Sequence, residues 1–222
     1  MAKNSAVEDP RVKPLTIEVA SDVICPWCYI GKRRLEKALA LVKDEIKPQI
    51  RWLPFQLNPD MPAQGMPRAE YRKAKFGSVE RGRELDARVA AEGKREGIEF
   101  AFERMQRTPN TVAAHRLIQL AQEQGRAAPV VDELFRAYFE EGQDIGDAAV
   151  LAAIAKRHGV ASWPEAADPK SVAALEAQMR DLGISAVPTF IFDRTSGVSG
   201  AHPPESLAAA MREAAGVGGV SV

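Results

Sequence analysis

The sequence predicts an α/β protein, ordered β-α-β, then a block of helices, then β-β-α. Three observations predict it. Residues 15–19, 50–57 and 189–192 are rich in β-branched and aromatic residues, as strands are. Residues 61–183 between them carry apolar positions at helical spacing, separated by turn residues. The composition, 45% hydrophobic and 27% charged over 222 residues, fits a globular chain of one large domain or one with a sizeable insertion.

The elements follow in order. Met1 to Pro14 is polar, and the first 13 residues read as a loose arm. Leu-Thr-Ile-Glu-Val at 15–19 alternates as a strand. From Tyr29 to Val42, Ile30, Leu35, Leu39 and Val42 recur on one face of a helix. Ile50 to Leu57 reads as a second strand that frays at Pro54, completing a βαβ unit. Asn58-Pro59 breaks the pattern. Helices are then expected at 68–77, 79–96, 111–124, 129–141, 147–158 and 170–182, with no strand among them. Thr108-Pro109-Asn110 and glycines 125, 142, 146, 159 and 183 punctuate them, and Asn110 suits an N-cap. Thr189 to Phe192 is a strand, residues 193–197 hold a hairpin turn, and 197–200 is a short, weak strand. Pro203 to Ala215 is the last helix, and Gly216 to Val222 is expected to be disordered.

Composition excludes several functions. Thirty Lys+Arg balance thirty Asp+Glu, and a chain that neutralises many phosphates is normally basic, so nucleic acid is not expected as a partner. No run of about 18 apolar residues is present to cross a membrane. The polar N-terminus lacks the apolar stretch of a secretory signal, so a cytoplasmic location is expected. Two cysteines are too few for a disulfide-stapled scaffold. A structural zinc site is not expected either: His115, His158 and His202 show no paired spacing.

The two cysteines form one motif, Cys25-Pro26-Trp27-Cys28, between a strand and a helix. Residues three apart on a helix lie about 5–6 Å from each other. That falls within the roughly 4.4–6.8 Å Cα separation that a disulfide accepts. Such a pair opens and closes with little backbone movement. Cys25 is placed at the N-cap and Pro26 at the first helical position, where a missing N–H costs nothing. The Cys25 sulfur is then expected to accept hydrogen bonds from the amides of Trp27 and Cys28, at the positive end of the helix dipole, and so to be favoured as an anion. Cys28, one turn inside, is expected to be more buried and to keep its proton longer. Cys25 is therefore read as the attacking thiol and Cys28 as the resolving one. Trp27 is expected to be partly exposed and to shape the substrate contact. Glu18 and Asp22, just upstream, are either proton acceptors for Cys28 or ordinary paired carboxylates.

Ser185-Ala186-Val187-Pro188-Thr189-Phe190 carries the other informative residue. A proline leading a strand cannot donate to the ladder. Its bond to Val187 is either trans, as most are, or cis. In the cis case Val187 would present an unpaired backbone to an extended substrate.

These residues resemble the thioredoxin fold in its DsbA-like form. The resemblance runs over about residues 14–215. Ser21 to Gly31 and Val198 to Pro203 are similar to the FrnE-type, cytoplasmic branch of that family. The resemblance implies a thioredoxin-like domain formed by 14–60 and 184–215, with 61–183 as a helical insertion beside the site. It implies a cis Pro188 packed against the cysteine pair, and Pro26, Trp27, Val187 and Pro188 as substrate-binding residues. It implies thiol–disulfide exchange with protein or low-molecular-weight thiols, by a monomer or homodimer. No metal or organic cofactor is called for, since the disulfide is the redox group; glutathione stands as an electron partner. A sister branch holds kappa-class glutathione transferases and 2-hydroxychromene-2-carboxylate isomerases. Those usually have serine at the Cys25 position, no second cysteine, and a Gly-Ser-Asp-Arg segment near the place of Ser199–His202. This chain keeps both cysteines and lacks that Asp.

The remaining features read as structural. His115 is either a proton relay or a satisfied interdomain histidine, and His202 a surface residue. Trp52 and Trp163 read as core or semi-core. Residues 68–95 hold nine Lys/Arg against five Asp/Glu, a solvated helical surface. Gly31 inside the active-site helix costs about 1 kcal/mol against alanine and permits a kink or close packing.

Overall fold

The structure, a computed structural model, describes residues 12–217. Its elements are β1 (Lys13–Ser21), α1 (Pro26–Leu41), β2 (Ile46–Pro54), β3 (Met66–Pro67), α2 (Arg68–Phe76) and α3 (Val79–Arg95). They continue with β4 (Arg107–Thr108), α4 (Val112–Glu123), α5 (Ala127–Phe139), α6 (Ala148–Arg157) and α7 (Ser171–Asp181). The chain ends on β5 (Thr189–Phe192), β6 (Ser196–Ser199) and α8 (Pro204–Ala214). The mixed α/β class expected from the sequence is present.

The central sheet has the order β2-β1-β5-β6. β1 pairs parallel with β2, as a βαβ unit requires, and antiparallel with β5. Strand alternation makes the core. Ile17 stands opposite Phe192 and Val19 opposite Phe190, all four buried. α1 packs against α8, and α4 and α7 against β2.

β2 begins four residues before the expected strand and ends three earlier. Pro48 hid the start, because a proline inside a strand argues against one. Here β2 is an edge strand, and a residue without an N–H is tolerated there. The expectation of an insertion without strands is corrected: Met66–Pro67 pairs antiparallel with Arg107–Thr108. Two-residue strands are too short to show a period. The expected N-cap also shifts. Thr111 occupies the cap of α4 without a side-chain bond, while Asn110 Oδ1 accepts from Val112 N–H at 3.0 Å, one residue further out.

At the N-terminus Lys13 already belongs to β1; residues 1–11 of the expected arm lie outside the described residues. So do residues 218–222 of the expected disordered tail. Gly216 and Val217 are ordered instead. Gly216 (φ +62) lets Val217 N–H reach Arg212 O at 2.8 Å, and Val217 packs on the core.

An aromatic cluster ties α1 to α5. Tyr29, fully buried, stacks on Phe135 with centroids 5.0 Å apart and lies 6.1 Å from Phe139. Its hydroxyl donates to Glu140 at 2.5 Å. Burial and that carboxylate push the Tyr29 phenol up. Among the described residues no helix is long and apolar enough to cross a membrane.

Candidate active site

α1 starts where the sequence places it. Cys25 is the N-cap (φ −91°, ψ 114°) with Pro26 in the first turn. The Cys25 carbonyl accepts from the amides of Cys28 at 3.0 Å and Tyr29 at 3.3 Å, and Cys25 N–H donates to Asp22 O at 3.0 Å. These backbone bonds fix the turn that carries both thiols. Cys25 is 5% exposed and Cys28 2%, while Trp27 between them is 42% exposed. Both cysteines are free thiols.

One expectation is corrected. The Cys25 sulfur makes no capping bond to the helix amides. It turns instead toward the loop before β5, with Sγ 3.9 Å from Val187 O. A protonated thiol is a weak donor and a carbonyl accepts it, whereas the helix amides would suit an acceptor sulfur.

That loop is held firmly. The Val187–Pro188 peptide bond is cis. Pro188 is buried and its carbonyl accepts Gly200 N–H at 2.7 Å. Thr189 Oγ1 donates to Ala186 O at 2.8 Å and lies 3.1 Å from Ser199 Oγ. Val187 N–H has no partner among the described residues, so the residue whose carbonyl faces Cys25 also keeps a free backbone donor.

Burial pushes the Cys28 thiol well above its ordinary value. The neighbouring Cys25 sulfur acts in the same direction, by accepting the Cys28 hydrogen and by repelling a second negative charge. The Asp22 amide and the Ser21 hydroxyl oppose this more weakly. Cys28 therefore keeps its proton, as expected for the inner thiol.

The carboxylates separate. Glu18 is buried but lies in a two-point pair with Arg194 (2.7 to 3.1 Å) across the β5–β6 hairpin. Asp22, fully buried, sits at the active-site turn. Its carboxylate accepts Leu57 N–H at 2.8 Å and Ile24 N–H at 3.4 Å. His115 from α4 brings Nε2 to 3.4 Å from Asp22 Oδ1, yet that nitrogen makes no hydrogen bond. Of the two readings of His115, relay or satisfied histidine, the second does not describe Nε2, whose neighbour is the Asp22 carboxylate. His202 is a loop residue whose Nε2 lies 3.0 Å from Ser199 O.

A cleft of about 510 Å³ opens beside the thiol pair. Cys25, Pro26, Trp27 and Val187 form one end of it. α2 and α3 contribute Arg68, Arg72, Lys75, Asp86 and Arg88 to its lining, beside apolar Phe76, Leu85 and Val89. The sequence shows the basic excess over residues 68–95 but not which members face the thiols; that depends on how α2 and α3 lie over α1. A second cleft of about 490 Å³, between α7 and the β5–β6 hairpin, contains neither cysteine.

Comparison with known proteins agrees with the geometry. Residues 16–212 match the DSBA-like thioredoxin domain. A probable DsbA oxidoreductase from Streptomyces coelicolor is 31% identical, with 94% of this chain and 93% of that one covered and a TM-score of 0.81. Two more distant solved structures share the fold. A 2-hydroxychromene-2-carboxylate isomerase is 15% identical over 91% of this chain and 99% of its own, with a TM-score of 0.65. The cytosolic disulfide reductase DsbM from Pseudomonas aeruginosa, solved with glutathione, is 20% identical over 90% of this chain and 96% of its own, with a TM-score of 0.61. A family match that spans β1 to α8, with the Cys25–Cys28 turn inside it, leaves one assignment: this chain belongs to the DsbA-like thioredoxin domain family.

Proposed function

We propose that the chain is a thiol–disulfide oxidoreductase in which Cys25 exchanges with the substrate and Cys28 resolves. One observation carries the reading: Cys25 faces both an open cleft and the Val187 carbonyl of the loop before β5, while Cys28 behind it is buried and holds its proton. The outer sulfur has access and the inner one does not.

In the direction written for the reduced enzyme, the Cys25 thiolate attacks one sulfur of a disulfide R–S–S–R. The S–S bond breaks, the Cys25–S–S–R mixed disulfide forms, and the first R–S⁻ leaves and takes a proton. Cys28 then loses its proton and attacks Cys25 Sγ. The Cys25–Cys28 bond forms and the second R–S⁻ leaves, protonated in turn. Two electrons and two protons pass from the enzyme to the substrate. The reverse sequence oxidises a dithiol. Pro26, Trp27 and Val187 line the approach, with cis Pro188 buried behind Val187, and an extended substrate adds to the Val187 backbone as a short strand.

Protein thiols and low-molecular-weight thiols both suit this site. The glutathione-bound cytosolic reductase of like fold supports glutathione as a partner and a cytoplasmic setting. The transferase or isomerase reading has the isomerase fold in its favour. It leaves the second cysteine without a purpose.

The test is equilibration of the reduced protein in glutathione buffers of graded ratio, followed by acid quench and mass measurement. The proposal expects reversible loss of two hydrogens per chain, abolished by Cys25→Ser and by Cys28→Ser. Saturable glutathione binding with both thiols unchanged at every ratio would favour the transferase class instead.

A further inference from the structure

The cleft that Cys25 lines is largely apolar and aromatic, with Leu57, Phe76, Val89, Phe102 and Phe139, and the charge set into it is mostly positive. Arg68, Arg72, Lys75 and Arg88 line the cleft against one carboxylate, Asp86. Asp86 is already shared: Arg68 approaches it at 3.2 Å and Arg72 at 2.8 Å. Among the described residues the other two cations have no counter-charge. Lys75 Nζ binds only neutral oxygens, Tyr71 Oη at 2.7 Å and Asn58 Oδ1 at 3.2 Å. Arg88 has no ionic or hydrogen-bond partner among the described residues.

The two guanidiniums that share Asp86 are also held in place, and Lys75 Nζ lies 5.1 Å from the Tyr71 ring centroid. Arg72 lies over the Phe76 ring, 4.4 Å from its centroid, and Arg68 over Phe102 at 5.4 Å. Arg72 further donates to Gly82 O. Arg68 and Arg72 thus stay with Asp86, which leaves Lys75 and Arg88 as the cations open to a docking carboxylate. The chain as a whole has no net charge, so this excess is local to the cleft.

We propose that the α2–α3 wall selects disulfides with carboxylates near the sulfur, Lys75 and Arg88 being the groups that pair with them. The inference rests on the oxidoreductase reading and names the substrate class of the same site. Two sources share this chemistry, a carboxylated small thiol and a cysteine flanked by Asp or Glu in a polypeptide. The redox step is the one already written: two substrate thiols form as the Cys25–Cys28 bond closes.

The test is single-turnover oxidation of the pre-reduced protein, with second-order rate constants for probes of different charge. Oxidised glutathione is the anionic probe, cystamine the cationic one and 2-hydroxyethyl disulfide the neutral one. At low salt the glutathione-to-cystamine ratio, normalised to each probe's rate with free dithiothreitol, is expected to be about tenfold or more. It should shrink toward one at about 0.5 M salt, where charges are screened beyond a few ångström. Lys75→Glu with Arg88→Glu should lower the ratio at least about tenfold; because it is a ratio, partial loss of folded protein does not move it. A ratio near one for both the small probes and the Asp- against Lys-flanked peptide disulfides, or ratios that ignore both salt and the double reversal, overturn the proposal. Oxidation by no probe at all overturns the oxidoreductase reading itself. Peptide disulfides flanked by Asp or by Lys separate the sources: selectivity confined to them assigns the wall to polypeptides, and equal selectivity for glutathione assigns it to small thiols as well.

Discussion

A Cβ on Gly31 would lie 2.8 Å from Cγ of Pro188 and 3.3 Å from Cζ of Phe190. Glycine one turn beyond Cys28 therefore lets α1 approach the loop that carries Val187, and that approach sets the distance from the Cys25 sulfur to the Val187 carbonyl. Gly31→Ala tests it. Helix propensity alone favours alanine by about 1 kcal/mol. Overpacking against buried Pro188 costs about 1–3 kcal/mol. The expected outcome is a less stable protein with slower thiol exchange, read by urea denaturation and by the rate of oxidation. A gain in stability with unchanged exchange would show that the contact is slack.

The raised Cys28 thiol has a consequence for stability. In the folded reduced protein Cys28 binds its proton more tightly than in the unfolded chain. Its stabilisation is complete below the unfolded value of about 8.5 and is lost as pH rises from there through the folded value. Reduced wild type should thus lose stability between about pH 8.5 and 10.5 more steeply than Cys28→Ala, which lacks the group. Denaturant midpoints across that range check it. The oxidised protein, with no Cys28 thiol to titrate, should likewise lack this loss.

Tyr29 anchors the active-site helix to α5 by ring stacking and by its bond to Glu140. Tyr29→Ala should cost about 3–5 kcal/mol, the range for emptying a large buried aromatic site. Tyr29→Phe keeps the stack and removes one hydrogen bond, so a loss of about 1–2 kcal/mol is expected. Equal losses for the two variants would show that the hydroxyl, not the ring, carries the contact. Thermal or urea unfolding of the two distinguishes them.

Much of this was legible from residues near each other in the chain. The β1-α1-β2 unit, Cys25 at the helix start and the protected Cys28 all follow from local pattern and spacing. What stayed hidden depends on partners distant in sequence. The direction of the Cys25 sulfur is set by Val187, 162 residues away. The start of β2 was masked by Pro48, which is acceptable only because that strand is an edge. The requirement for glycine at 31 appears only against Pro188. The basic run over 68–95 reads as a solvated surface until α2 and α3 are seen to wall a cleft at Cys25. His115 read as either a proton relay or a satisfied histidine, and only the fold brings its Nε2 to 3.4 Å from Asp22 Oδ1, without a hydrogen bond.

The central claim, attack by Cys25 and resolution by Cys28, is tested most directly by trapping. Reduced Cys28→Ser and Cys25→Ser variants are each mixed with oxidised glutathione, quenched with acid and mapped by peptide mass. The account predicts a stable glutathione adduct on Cys25 of the Cys28→Ser variant and little or none on Cys28 of the Cys25→Ser variant. An unmodified Cys25, or faster capture by Cys28 than by Cys25, would contradict it.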